Sequence, residues 1–288
     1  MNKNYVVITD SNSELPLQFA KEHNVDYVAM PYVLDDVEVN YNLGENTNFK
    51  EFYDKVREGK MPQTSTFPPQ YYIDKLSVYL EDGKDILFIA FSSKLSSAFS
   101  YLNVACDELR EKYSQRKIYV VDTKRISAPM ALLVMDAYEK YEAGEDIDKL
   151  RDWVENNKLK YGVYFMVDDI NHLKRGGRVS PTVAAIGTML SIKPILTESD
   201  EGEIIKFSSE KGRKKAISRI TSLASEEMTD DKNARILIVH ADSQDDAEAM
   251  KKSICEKAEC DNILIQNIGP VIGTHAGPGT LAMAYRTK

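Results

Sequence analysis

Short apolar runs of strand length recur along this chain, and between them lie longer segments whose apolar residues repeat at helical spacing. The runs at 5–9, 25–33, 86–91 and 117–121 predict strands in the first half. Those at 161–167, 192–196, 204–207, 235–240 and 263–267 predict strands in the second. Helices are predicted over 17–23, 48–58, 71–80, from beyond Ser97 to near Arg110, 127–141 and 147–156, then over 212–227 and 245–257. In the segment 48–58, Phe49, Phe52, Tyr53 and Val56 share one face. Pro129 fits the helix at 127–141 because it falls in the first turn. Ser180 and Pro181 supply an N-cap and a first helical residue for a further short helix ending near Leu190. Asp200-Glu201-Gly202 predicts a hairpin turn.

This alternation predicts an α/β fold, with a mostly parallel sheet covered on both faces in the first half and a second α/β region after it. The expected domains are 1–158 and 159–288. The closing stretch IGPVIGTHAGPG, 268–279, sets four glycines and two prolines around one histidine. It is expected as a fixed, closely packed loop, neither strand nor helix, holding His275 where the imidazole can face a cleft.

Candidate chemistry gathers where the strand at 86–91 hands over to a helix through Ser92-Ser93-Lys94-Leu95-Ser96-Ser97. A helix start has free backbone N–H groups, and hydroxyls around it add donors, which suits a carboxylate or phosphate. Helix capping explains the same serines. Asp10 and Ser11 end the first strand, where open α/β sheets place ligand groups, and capping accounts for them equally well. Prolines on both sides of Thr64-Ser65-Thr66 exclude helix there and leave a rigid loop presenting hydroxyls. Lys174, Arg175 and Arg178 surround Gly176-Gly177, a cluster for a phosphate, an acidic partner surface or plain solvent.

Composition narrows the function classes. Over 288 residues the net charge is −8, which disfavours a general binder of nucleic acid or anionic membrane. No apolar run is long enough to span a bilayer, and no signal peptide precedes the first strand, so a cytoplasmic protein is expected. The cysteines Cys106, Cys255 and Cys260 form no CxxC pair and no zinc spacing, and each is expected to serve packing. There is no P-loop, no GxSxG elbow and no HExxH, so neither a nucleotide site nor a metal cofactor is expected. Hydroxyls, one histidine and an arginine suit a binder better than a catalyst.

Six segments in one order carry a family resemblance: ITDSNSELP, TSTFPP, SSKLSS, VVDTKRIS, LKRGGRVS with IGTMLSIKPIL, and GTHAGPG. Together they resemble the DegV family, including the fatty-acid-binding B subunits of bacterial fatty acid kinase. The resemblance covers nearly the whole chain. It implies two interwoven α/β domains with one lipid between them and no catalysis by this chain alone. It also implies that Thr64 and Ser96 hold the fatty-acid carboxylate with His275 near the head group. Ser65 and Ser97, the hydroxyl neighbours of those two, complete the expected set. Arg178 corresponds to a family arginine that works with the kinase. That kinase is a separate subunit that supplies ATP and metal and phosphorylates the bound carboxylate.

The sequence also departs from the family. Ser97 and Ala98 replace a Gly-Thr pair, and Pro129 and Ala131 stand where glycines are common. A narrower tail tunnel is expected from the last two. Two other readings stay open: a serine/histidine acyl hydrolase built on Ser96 and His275, and a binder of small polar ligands related to dihydroxyacetone kinases.

Overall fold

Four parallel strands form the first sheet, in the order β2-β1-β6-β7: β1 Tyr5–Asp10, β2 Asp26–Val28, β6 Asp85–Ala90 and β7 Ile118–Asp122. The computed structural model describes residues 3–180, 183 and 192–288. The short helix expected after Pro181 therefore lies outside the described residues, apart from Ser180 Oγ, which accepts from the Val183 amide at 3.3 Å. Strands β1 and β6 are buried almost throughout, as parallel strands covered on both faces must be. Helices α3 (Pro69–Glu81) and α4 (Ala98–Lys112) pack on each other as one pair against this sheet. Helices α5 (Ala128–Glu142) and α6 (Ile147–Asn157) form another. Helix α1 (Leu17–Glu22) links β1 to β2.

The single strand expected at 25–33 is two strands in different sheets. Strand β2 ends at Val28, and the chain then turns at Ala29-Met30, where the Met30 amide donates to Ser11 Oγ at 2.9 Å. Beyond the turn, β3 (Pro31–Leu34) pairs antiparallel with β4 (Val37–Asn40) and with the two-residue β5 (Gln63–Thr64). Asp35 and Asp36 both take positive φ in the β3–β4 hairpin turn, where two left-handed residues match the twist of the strands. Helix α2 (Phe49–Arg57) follows, with Asn48 Oδ1 capping the Glu51 amide at 3.1 Å.

The second sheet has six strands in the order β10-β9-β8-β13-β11-β12. They are β8 Tyr161–Met166, β9 Ile192–Glu198, β10 Ile204–Lys211, β11 Ile236–His240, β12 Ile263–Asn267 and β13 Leu281–Arg286. Only β11 and β12 pair in parallel. Period-two alternation divides the side chains of this sheet between two cores. Tyr164, Met166, Ile195 and Met283 join a cluster with residues of α8 (Arg213–Glu227) and α9 (Gln244–Cys255). Val163, Phe165, Leu196, Val239 and Ala282 join the larger core. Helix α5 bridges the sheets: it touches β1 of the first and β8, β11 and β13 of the second. This accounts for its ten buried residues and its weak amphipathicity.

Two expectations about the C-terminal part are corrected. The segment expected as a loop contains a helix, α10 (Pro270–Ala276), and the chain ends in a strand, β13, that the apolar pattern had not predicted. Pro270 occupies the first helical position, and Gly277, at φ 77°, closes the helix. The Gly and Pro that suggested a loop are the boundaries of a two-turn helix. The cysteines also differ from expectation: Cys106 is buried in α4, but the Cys255 and Cys260 sulfurs lie 3.7 Å apart. No helix among the described residues is long and apolar enough to cross a membrane.

Candidate functional site

A cavity of about 110 Å³ lies between the first sheet's C-terminal loops, α5 and the inner face of the second sheet. Its wall is mostly aliphatic and aromatic: Val163 and Phe165 from β8, Val239 and Ala282 from β11 and β13, Ile268, Val271 and Ile272 around α10. Apart from Thr280, whose hydroxyl donates to the Ala276 and Gly277 carbonyls, polar side chains enter that wall in two groups. One comprises Thr64, Ser65, Ser96, Arg178 and His275. The other comprises Asn12, Ser127 and Glu198.

The first group is assembled from four separate elements. Thr64 is fixed by the pairing of β5 with Tyr32 of β3, and its Oγ1 lies 2.9 Å from His275 Nε2. His275 occupies the last turn of α10, and Gly176 lets its ring approach closely, since a Cβ there would sit 2.3 Å from Nδ1. Burial, then the nearby Arg178 charge, pushes the His275 pKa down to about 4, so the ring is neutral at pH 7. Arg178 follows α7 (Asn171–Arg175) and is half-buried. Its Nε donates to the Leu95 carbonyl at 3.1 Å, and its Nη1 donates to the Gly176 carbonyl. The arginine is thereby held against the serine turn, and its Nη2 makes no bond among the described residues. Lys174 and Arg175 are exposed.

The four serines of the 92–97 stretch do not act together. Ser92 donates to the Gly202 carbonyl at 2.8 Å, and the Ser93 hydroxyl accepts from Lys124 Nζ at 3.3 Å. Ser96 lines the cavity, its Oγ accepting from the Ala98 amide at 3.2 Å with its own hydrogen left to donate. Ser97 is exposed, caps nothing at the start of α4 and is not among the cavity residues. Ser65 borders the cavity, but its hydroxyl donates to Glu38 at 3.0 Å. Asp10 and Ser11 serve the backbone: Asp10 accepts from the amides of Asn12 (2.9 Å) and Phe91 (3.3 Å), and Ser11 from Met30. Pro129 reaches the cavity wall, whereas Ala131 is fully buried away from it, so only the proline could narrow the space.

The second polar group escaped the sequence reading, as did Glu14. Glu14 is buried in the left-handed region at φ 52°, and its carboxyl accepts from the Gly269 amide at 2.9 Å and from Tyr41 Oη at 3.3 Å. It thus ties the segment after β1 to the start of α10. Burial pushes its pKa up to about 8. Among the described residues no cluster of three or more His, Cys, Asp or Glu could hold a metal ion. Nor does any described carboxylate orient His275: Nε2 meets Thr64 and Nδ1 is buried without a partner. A hydrolase triad therefore gains no support.

Known proteins share this architecture. The family model described as uncharacterised protein, DegV family, matches residues 4–288. A DegV domain-containing protein of Clostridium perfringens is 40% identical over 283 residues, covering 98% of this chain and 97% of that one. Among solved structures, a fatty acid binding DegV family protein from Streptococcus agalactiae superposes with a TM-score of 0.87 at 29% identity, covering 99% of each chain. A Thermus thermophilus DegV family protein, described by its fatty acid binding, gives 0.86 at 28% identity, covering 98% of this chain and 99% of that one.

Proposed function

The chain belongs to the DegV family, and from that premise we propose that it binds a long-chain fatty acid and presents the carboxylate to a separate kinase subunit for acyl-phosphate formation. The observation that carries the reading is an apolar cavity bordered by Thr64, Ser96, Arg178 and His275. Each methylene of an acyl tail moved from water into such a wall contributes about 0.8 kcal/mol. A carboxylate leaving water requires charge-assisted partners. In this reading His275 Nε2–H donates to Thr64 Oγ1, which turns the Thr64 hydroxyl toward one carboxylate oxygen. Ser96 donates to the other, and Arg178 supplies the positive charge that a neutral His275 does not. The halves 1–158 and 159–288 are proposed as the two domains that flank the lipid, and the cytoplasm as the compartment.

Organic extraction of the purified protein followed by mass spectrometry tests the ligand class. A co-purified long-chain fatty acid supports the reading, while ester turnover by the chain alone supports a hydrolase. Thr64→Ala and Ser96→Ala should each weaken fatty-acid binding by about 1.5–3 kcal/mol, the loss of one charge-assisted hydrogen bond. Unchanged affinity in a folded double variant would remove both residues from the head-group site. Arg178→Ala separates two roles for the arginine. As a head-group ligand it should lower lipid affinity; as a phosphoryl-step residue it should leave affinity intact and slow acyl-phosphate formation with the kinase. Its place in the cavity wall makes the first effect the expected one, and measuring both quantities on one variant decides it.

A further inference from the structure

Fatty-acid tails need no hydrogen bonds, yet three further polar atoms of the cavity lining lack partners among the described residues. Asn12 Oδ1, Ser127 Oγ and Glu198 Oε2 are all buried, and none has a hydrogen-bond partner among the described residues. Asn12 is 4% exposed and the Glu198 side chain 5%. They form one cluster: the Ser127 amide donates to the Asn12 carbonyl at 2.8 Å, and the Ile126 amide donates to Glu198 Oε1 at 3.3 Å.

Local structure explains neither the Asn12 nor the Ser127 oxygen. Ser127 precedes α5 but its hydroxyl makes no cap, and it holds φ 60°, ψ −137°, a conformation that costs a non-glycine residue. Glu198 forms a buried ion pair with Arg125, whose Nε lies 3.8 Å from Oε2, without a direct hydrogen bond to that oxygen. The guanidinium donates instead to the carbonyls of Tyr161, Lys124 and Ser199 at 2.9, 3.0 and 2.9 Å. The cluster lies two strands from the arginine segment: Val179, beside Arg178, bridges Ile204 of β10, and Ile204 pairs with Glu198 of β9.

Resting on the fatty-acid reading, we propose that the ligand carries a hydroxyl group along its chain, and that Asn12, Ser127 and Glu198 form the subsite that receives it. A hydroxyl both donates and accepts. Its hydrogen can go to Asn12 Oδ1, and its oxygen can accept from Ser127 or from a protonated Glu198. Burial pushes the Glu198 carboxyl up to about 8 against the opposing pull of the Arg125 charge, which favours its protonated form at neutral pH. A plain alkyl tail would instead cover three polar atoms and leave them unsatisfied.

The test is competition binding of octadecanoic acid against its monohydroxy derivatives, with the hydroxyl moved stepwise along the chain. At one position the hydroxy acid should bind roughly ten- to hundred-fold tighter than the plain acid. Ser127→Ala removes an oxygen that bonds nothing among the described residues, so it should fold normally while reducing that preference. Glu198→Gln should also reduce it. If the plain acid binds as tightly as every hydroxy acid, the inference falls and the fatty-acid reading stands, with the polar atoms serving ordered water only. If no acid of either kind binds, both fall.

Discussion

Gly269→Val is expected to cost this protein about 3–5 kcal/mol, the combined scale of an overpacked core and a broken buried hydrogen-bond pair. Even a single methyl group has no room there: a Cβ on Gly269 would sit 2.2–2.5 Å from three atoms of the Tyr41 side chain, two of the ring and its hydroxyl oxygen. Tyr41 is 3% exposed and is fixed by its bond to Glu14, so the ring cannot swing into solvent. The Gly269 amide is itself the donor to the other Glu14 oxygen, so displacing this backbone breaks both contacts of a buried carboxyl. At about 2–4 °C per kcal/mol, the thermal midpoint should fall by roughly 6–20 °C. Because Gly269 starts α10, which carries His275, fatty-acid affinity should fall in parallel.

The control is Gly83→Ala. Gly83 has φ 76°, and a methyl group added there would meet nothing within 4 Å, so its substitution carries only the left-handed backbone cost of about 1–2 kcal/mol. A Gly269→Val variant no less stable than Gly83→Ala would mean that the Glu14–Tyr41–Gly269 joint does not hold the two halves together.

The importance of that joint was hidden in the sequence because Glu14 reads there as one acid in a polar turn. Nothing in its spacing says that Tyr41 and Gly269, from distant parts of the chain, will enclose it. The regular elements were far more legible. Strands such as β1 and β6, and a helix such as α2, declare themselves by apolar period alone. The errors came where tertiary packing overrides composition. The stretch at 25–33 looks continuous, but its two halves pair with different sheets. Helix α10 is built from residues of poor helix propensity, and it persists because Val271, Gly273 and Ala276 are buried.

The site was legible in part for a related reason. Thr64, Ser96 and His275 stand in segments whose prolines, serines and glycines interrupt the apolar pattern, so they drew notice. Glu198 lies inside a strand, where alternation assigns an acid to solvent by default. Only the approach of the Ile126 amide and Arg125 reveals that it is buried. A positive-φ serine before α5 leaves no mark in the sequence either.

Buried acids should give the fold a stability that declines as pH rises through neutrality. Burial, the dominant influence on each, pushes Asp10 up to about 7 and Glu14 and Glu198 up to about 8. Unfolded, these groups ionise near 4. Between those limits the folded state binds protons that the unfolded chain does not, so stability falls with increasing pH. Their contribution is complete below about pH 4 and gone once pH has passed the folded values. At about 1.4 kcal/mol per unit of displacement, a single such acid is worth on the order of 4 kcal/mol. His275 works in the other sense: its pKa, lowered to about 4, gives stability that is present above about pH 6.5 and lost as pH falls through 4. Surface carboxylates held down by lysine partners, such as Asp35 and Asp148, add to the loss at low pH. The thermal midpoint should therefore peak in mildly acidic solution and fall steadily from about pH 6 to pH 8.5. Glu14→Gln keeps an oxygen to accept from Gly269 and cannot ionise, although its amide meets Tyr41 Oη as a donor where the carboxyl accepts. That variant should show a shallower decline and exceed the wild type at pH 8.5. A wild-type midpoint that is flat or rising across this range, measured at constant ionic strength, would mean that these carboxyls are ionised in the folded protein.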